Sequence, residues 1–409
     1  MKLKNKFILN QLKRFMSDSF WSLAALMLMN IVAQFIVYPF WSRKFGDEIY
    51  GNIVYIMSLI NIFAVSIGIA TNYARMAESA KRETVNGDYN RVLLGGSCIS
   101  AFICICVVII SNLRMSVIDL LLIGLLCILT MWRYYADVDY RLNLNYKGYF
   151  SYYAIISLGY LIGCILFWVS GCWTLALIPG EFIGLVWVLK TGKTLKCKPF
   201  QVGNKYNENK KVIFSLIVAN LISNIIFNGD RLLLQSLLGG TAVTIYYLSS
   251  LIGKTMSLVT TPLNSVIIGH LAQYKGNFSK RMLNIILGVT MVSVLAGTMI
   301  AVLGSHCAIY ILYPSSFSTV KSYFFIANMA QVVYFVTNII TTILLRIAKT
   351  NCQLIINAVY AITFLGMCIP ATVIYGIDGF CVAILLVNII RYITAMLFCY
   401  LKVGKKKGY

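Results

Sequence analysis

Apolar stretches of membrane-crossing length recur along this chain, separated by short polar breaks. A run of about twenty apolar residues crosses a hydrocarbon core of about 30 Å. Twelve such runs can be marked, at 19–41, 49–73, 92–111, 117–136, 149–169, 173–189, 212–238, 242–268, 282–303, 319–345, 352–374 and 379–401. Lipid offers backbone N–H and C=O groups no partners, so each run is predicted to be a helix. The expected fold is therefore all-α, a polytopic membrane protein of twelve transmembrane helices. The longest break, Lys190–Lys211 (KTGKTLKCKPFQVGNKYNENKK), holds seven lysines and divides the spans six and six. The expected domains are a cytoplasmic N-terminus 1–18, a six-helix bundle 19–190, a linker 191–211, a second bundle 212–401 and a basic tail 402–409. A faint echo between "KFGDEIYGNIVY" (44–55) and "LLGGTAVTIYYL" (237–248), each joining the first two spans of its half, predicts a parallel repeat.

Polar positions inside the spans fall on single faces when read at 100° per residue. In the seventh span Asn220, Asn224, Asn228, Arg231 and Gln235 share an arc of about 80°. Asp230 lies off it, because adjacent residues on a helix do not share a face. The eighth span repeats the pattern with Tyr247, Ser250, Lys254, Ser257, Thr261 and Ser265. The first carries Asn30, Gln34, Tyr38 and Trp41, and the second Tyr50, Asn61, Gly68, Asn72 and Arg75. The tenth adds Asn328, Gln331, Asn338 and Thr342. Interhelical hydrogen bonds, worth about 0.6 kcal/mol each, account for many uncharged positions. They account poorly for Arg231 and Lys254, since a basic group at the bilayer centre costs roughly 3 kcal/mol and usually faces a wet path. A water-filled, cationic cavity between the halves is the reading these two favour. For Asp230 and Arg391 two roles stay open, a direct or coupling role and ion pairing within the bundle. Glu181, in "IPGEFIG", is a third coupling or ion-pair candidate, because a buried carboxylate titrates toward neutrality. Pro262 and Pro370 should bend the eighth and eleventh spans.

Charge adds orientation to this picture. The formal charge is +22, yet only 12% of residues are charged and 59% are hydrophobic. Of the 35 Lys and Arg residues, 28 fall in the termini and in the loops on one side. Arg43, Lys44, Arg114 and Lys321 lie on the other, and Arg231, Lys254 and Arg391 within spans. The positive-inside rule then makes both termini cytoplasmic, and the basic charge implies no nucleic-acid partner. The run from Phe20 to Trp41 is too long for a signal peptide and lacks a small-residue cleavage site, so it reads as a retained first span.

Several chemistries have no residues to carry them. No GxxxxGK[ST] loop, HExxH or GxSxG occurs. The two histidines, His270 and His306, lie singly near span ends, and the twelve cysteines are scattered, with Cys104 and Cys106 the closest pair. No metal and no cofactor is expected, and the chain is not expected to be an enzyme.

The order of motifs resembles the polysaccharide or O-antigen (Wzx-type) flippases of the multidrug/oligosaccharidyl-lipid/polysaccharide (MOP) exporter superfamily. The resemblance covers essentially the whole chain. It rests on twelve spans in two halves, "RKFGDEIYGNIVYIMSL", "RYYADVDYRLNLNYKGYF", and "NGDRLLLQSLLGG" followed by a tyrosine-bearing helix start. One departure is the second corner, where the usual Gly-x-Tyr becomes Val243-Thr244-Ile245-Tyr246. The resemblance implies a V-shaped bundle lined by spans one, two, seven and eight. It implies an undecaprenyl-pyrophosphate-linked oligosaccharide moved between leaflets of a bacterial inner membrane by alternating access. Arg231 and Lys254 would meet the pyrophosphate, with the polar stripes meeting the sugars. Candidate partners are membrane lipids, H⁺ or Na⁺ as coupling ion, and polymerase and chain-length proteins. A multidrug exporter would want an acid in the first span, a polymerase a long outer loop, and an envelope scaffold would make Arg231 and Lys254 dispensable.

Overall fold

In a computed structural model of the chain, every regular element among the described residues is helical. The structure describes residues 2–81, 83–256, 279–347 and 351–403, the side chains of 2–16, 345–347 and 351 excepted. The expected bend at Pro262, the lone His270, the stripe positions Ser257, Thr261 and Ser265, and most of the basic tail lie outside the described residues. The first half comprises α1 (Lys2–Val32), α2 (Tyr38–Ile60), α3 (Ser66–Ser79), α4 (Asn86–Ile110), α5 (Val117–Ala136), α6 (Val138–Leu142), α7 (Tyr146–Ser170) and α8 (Ile178–Thr191). The second comprises α9 (Tyr206–Leu238), α10 (Gly240–Thr255), α11 (Lys280–Leu312), α12 (Pro314–Val320), α13 (Phe324–Ile347), α14 (Asn351–Thr363) and α15 (Ile369–Lys402).

These elements make the twelve-span, two-bundle layout of a multi-pass membrane protein, although some neighbouring spans are fused. Among the described residues, eight helical stretches are long and apolar enough to cross a membrane. Two of them hold two spans each. Ser17–Ser79 is broken only at Gly46 (φ 74°, ψ 177°), and Cys352–Lys402 only at Gly376 (φ 62°, ψ −142°). The sixth and eighth spans are represented by the shorter α8 and α10. Gly171 and Gly239 also have positive φ, at 80° and 84°. The four therefore mark the turns between spans one and two, five and six, seven and eight, and eleven and twelve. Those are the same two turns in each six-span half, and only glycine takes such backbone at little cost.

By packing, the chain divides into two compact units. One contains Met1–Gly46 and Asn52–Leu232, the other Asp47–Gly51 and Leu233–Tyr409. The division falls inside α9, so Arg231 belongs to the first unit and Gln235 and Lys254 to the second.

In the first unit α7 packs on α1 and α8. Its contact with α8 is close because Gly159 meets Gly180, where an added Cβ would lie 2.4 Å from the facing Cα. Tyr149, Tyr152 and Tyr153 of α7 are fully buried with Tyr135 of α5 and Tyr89 of α4. Such rings supply large apolar area but need a partner for each hydroxyl. Tyr152 Oη donates to Arg133 O (3.3 Å) and Tyr153 Oη to Asp137 Oδ2 (3.0 Å). The polar linker is pinned to the same unit. Asp139 Oδ1 accepts the N–H groups of Lys193 (3.2 Å) and Thr194 (3.3 Å), and Asp88 accepts from Gly203 N (2.8 Å) and Asn209 Nδ2 (2.7 Å).

In the second unit, Val333, Val336 and Ile340 of α13 pack with Ile356 of α14 and with Ala395 and Met396 of α15. On α11 the exposed residues Ile285, Val289, Val292, Leu295, Met299 and Leu303 recur every three or four positions, while Leu283, Thr290, Gly297, Ala301 and Ser305 are buried. An apolar stripe left outside a packed core is what a lipid-facing helix requires. Pro370 stands at the start of α15 just after a π-helical turn, Phe364–Cys368, where its missing N–H is accommodated.

Candidate functional site

The polar stripe of α9 meets the second span inside the first unit. Asn224 Nδ2 donates to Ser66 Oγ (2.8 Å), and Asn228 Nδ2 to the carbonyl of Asn224 (2.9 Å). The guanidinium of Arg231 donates through Nη1 to Ser58 Oγ (3.0 Å) and Asn228 Oδ1 (3.3 Å). Ser58 passes its own proton to Val54 O (2.8 Å), so its lone pair is turned toward the arginine. Arg231 is 9% exposed and Asn228 1%, which places a full charge and its amide partner out of bulk water. Asp230 Oδ1 accepts the backbone N–H of Arg231 (2.9 Å). Asn220 donates to Leu216 O of its own helix (2.9 Å) and adds a partly exposed amide to the row.

Two irregularities on the first and second spans adjoin this set. Gln34 lies in a π-helical turn, Ala33–Val37, and Asn61 opens another, Asn61–Val65. A π turn inserts one residue into the helix, re-aims the side chains around it, and often marks a functional site. Tyr38 follows the first of these turns and lies within electrostatic reach of Arg231. Asn30, one turn earlier, donates to Leu26 O (2.8 Å). Gln34, Asn61, Asn224, Asn228 and Arg231 are thus all in the first unit.

The other positions singled out in the sequence belong to the first unit (Asn72, Arg75) or to the second (Gln235, Ser250, Lys254, Arg391). Asn72 is 2% exposed and donates to Tyr134 O (2.9 Å) and to Asp137 Oδ1. Arg75 binds Asn86 Oδ1 (2.8 and 3.2 Å), Ser79 and Thr84, and stacks on Tyr89, so it ties the loop between α3 and α4. In the second unit Ser250 is fully buried and returns its proton to Tyr246 O (2.8 Å), while Lys254, 8% exposed, sits in the last turn of α10. Gln235 is partly exposed. Arg391 is clamped between the rings of Tyr334 (4.4 Å) and Tyr360 (5.4 Å) and donates to Asn338 Oδ1 (2.9 Å) and Tyr334 O (3.4 Å). Among the described residues no carboxylate forms an ion pair with it.

Glu181 has a specific partner. Its carboxylate meets Arg133 Nε at 2.7 and 2.9 Å and accepts the hydroxyl of Tyr160 (2.7 Å), with the charged side chains 2% and 6% exposed. Arg133 is one of the basic residues counted with the loops in the sequence, yet it lies buried in the last turn of α5. The signal was Glu181 itself, since an acid in an apolar span demands a base nearby. A second cluster stands beside it, where Arg141 of α6 pairs with Asp137 (3.0 Å) and donates to Tyr149 Oη (3.0 Å). Among the described residues no group of three His, Cys, Asp or Glu side chains gathers as metal ligands would.

Neither a family model nor a curated protein sequence matches the chain. Solved structures do. The chain is similar to the lipid II flippase MurJ in an inward closed conformation, with a TM-score of 0.70 over 93% of this chain and 87% of that one, at 13% identity. It is similar to an inward-facing multidrug resistance transporter of the MATE family, with a TM-score of 0.66 over 95% of this chain and 100% of that one, at 12% identity. It is also similar to the Vibrio cholerae MATE transporter VcmN, with a TM-score of 0.64 over 97% of each chain, at 15% identity. The fold is that of the MOP transporters. Identities this low show a shared fold and no more. One of these neighbours is a lipid II flippase and another a multidrug resistance transporter.

Proposed function

We propose that this protein is a flippase, and not an enzyme, that moves an anionic, lipid-linked oligosaccharide across a bacterial inner membrane. The reading is of an undecaprenyl-pyrophosphate-linked O-antigen or capsule repeat unit, taken up with both termini of the protein in the cytoplasm. The observation that carries it is Arg231, a buried guanidinium on the polar face of α9 that donates to Ser58 Oγ and Asn228 Oδ1 beside a row of amides. A guanidinium keeps its charge at any physiological pH, and its fork of donors matches a phosphate. Asn220, Asn224, Asn228 and the π-turn residues Gln34 and Asn61 supply the amide and carbonyl groups that hydroxyl-rich sugars use. Lys254 is assigned the same electrostatic role on its own helix. Against export of organic cations stands the use of acids in the first unit: Glu181 is bound to Arg133 and Asp137 to Arg141.

The test is Arg231→Gln, Lys254→Gln and the double variant in the native host. Surface polysaccharide should be lost while protein in the membrane stays at its normal level. Unchanged polysaccharide in the double variant would falsify this function. Retained polysaccharide combined with loss of resistance to a cationic dye would favour the drug-export reading instead.

A further inference from the structure

We propose that the first unit carries a binding site for the phosphate of an anionic phospholipid, such as phosphatidylglycerol, where the first span ends beside the end of α7. A cavity of 480 Å³ opens there, lined by Phe40, Arg43, Lys44 and Trp168. Lys44 and Arg43 are both exposed, and they are two of only four Lys or Arg residues assigned to that side of the membrane by the charge distribution.

The local chemistry fits a lipid headgroup. Lys44 Nζ donates to the carbonyls of Phe167 (3.3 Å) and Trp168 (3.1 Å), the last-turn acceptors of α7 before Gly171 ends the helix. It also rests over the rings of Phe167 (4.8 Å) and Trp168 (5.9 Å). Capping α7 in this way explains where the ammonium is held and uses two of its three donors. Among the described residues no carboxylate pairs with Lys44, so its charge and its third donor face the cavity. The rim continues into exposed apolar side chains, Ile165, Trp168 and Val169, 65%, 69% and 82% exposed. Trp at the headgroup level with acyl-facing residues beneath it is the signature of a membrane interface. Two cations above such a rim select a phosphate that already has its chains in the bilayer.

The full-length protein in detergent should be titrated with phosphatidylglycerol, with phosphatidylcholine and with inorganic phosphate, and bound lipid counted by native mass spectrometry. Phosphatidylglycerol should be retained in preference to phosphatidylcholine. Each charge removed should weaken that retention about fivefold, the effect of one Lys or Arg near an anionic surface. Arg43→Gln leaves the α7 cap intact and is the primary variant; Lys44→Gln is the second. Equal retention in Arg43→Gln and wild type would overturn the site, as would saturation by inorganic phosphate at the same concentration as by the lipid. Arg231→Gln should retain the lipid normally, which separates this site from the proposed substrate path.

Discussion

Replacing Glu181 by Gln should destabilise the first unit far more than its small change in shape suggests. The carboxylate lies 2.7 Å from Arg133 Nε, and the two side chains are 2% and 6% exposed, so water screens the pair weakly. Glutamine keeps an oxygen that can accept from Arg133 and Tyr160, but it leaves a guanidinium that cannot release its proton. Removing one partner of a buried pair costs about 3–5 kcal/mol. At 2–4 °C per kcal/mol for a unit of this size, the melting temperature should fall by about 6–20 °C. Arg133→Met should cost less, because a lone buried carboxyl can take up a proton and become neutral. The double variant, neutral on both sides, should recover at least half of the loss. Thermal unfolding of the three purified variants in one detergent measures this directly. A Glu181→Gln protein within about 1 kcal/mol of wild type, or a double variant as unstable as Glu181→Gln, would refute the view that charge compensation is what the pair provides. If Glu181 also carries a coupling proton, transport should fail in Glu181→Gln even well below its melting temperature.

Two further outcomes follow from the backbone and from the second unit. Gly46→Ala and Gly239→Ala should each cost about 1–3 kcal/mol, since both glycines have φ and ψ closed to other residues. An added Cβ meets nothing within 4 Å at either position, so the loss would be purely conformational. Gly95→Ala, equally open but helical, should be neutral or stabilising by up to about 1 kcal/mol in the same assay. Arg391→Lys keeps the charge but loses the planar stack on Tyr334 and Tyr360. It should lower stability by about 1–2 kcal/mol, with chemical denaturation of the purified protein as the measurement. A lysine variant as stable as wild type would show that charge alone is needed there.

Much of the fold was legible in the sequence because the bilayer allows so few solutions. Once apolar runs of the right length repeat, helices and their number follow. The fused stretches were not legible, because a helix that bends through Gly46 or Gly376 differs from two separate helices only in a few backbone angles. The π turns at Gln34 and Asn61 were not legible either, since one inserted residue leaves no mark in composition. Arg133 escaped notice for a different reason. It stands in "RYYADVDYR", where tyrosines and acids imitate a surface loop, and only the burial of Tyr149, Tyr152 and Tyr153 shows that this polar segment is folded inward.

That inward-folded segment bears on what kind of ligand the protein can accept. A chain with 13 acidic and 35 basic residues has few carboxylates to distribute, and four of those in the first unit hold structure. Glu181 fixes Arg133, Asp137 fixes Arg141, and Asp139 and Asp88 hold the linker through N–H groups. Here the polar face of α9 carries an arginine whose guanidinium donates to a serine and an asparagine. In this protein the economy of its acids, more than the excess of its bases, is what makes an anionic cargo the better reading.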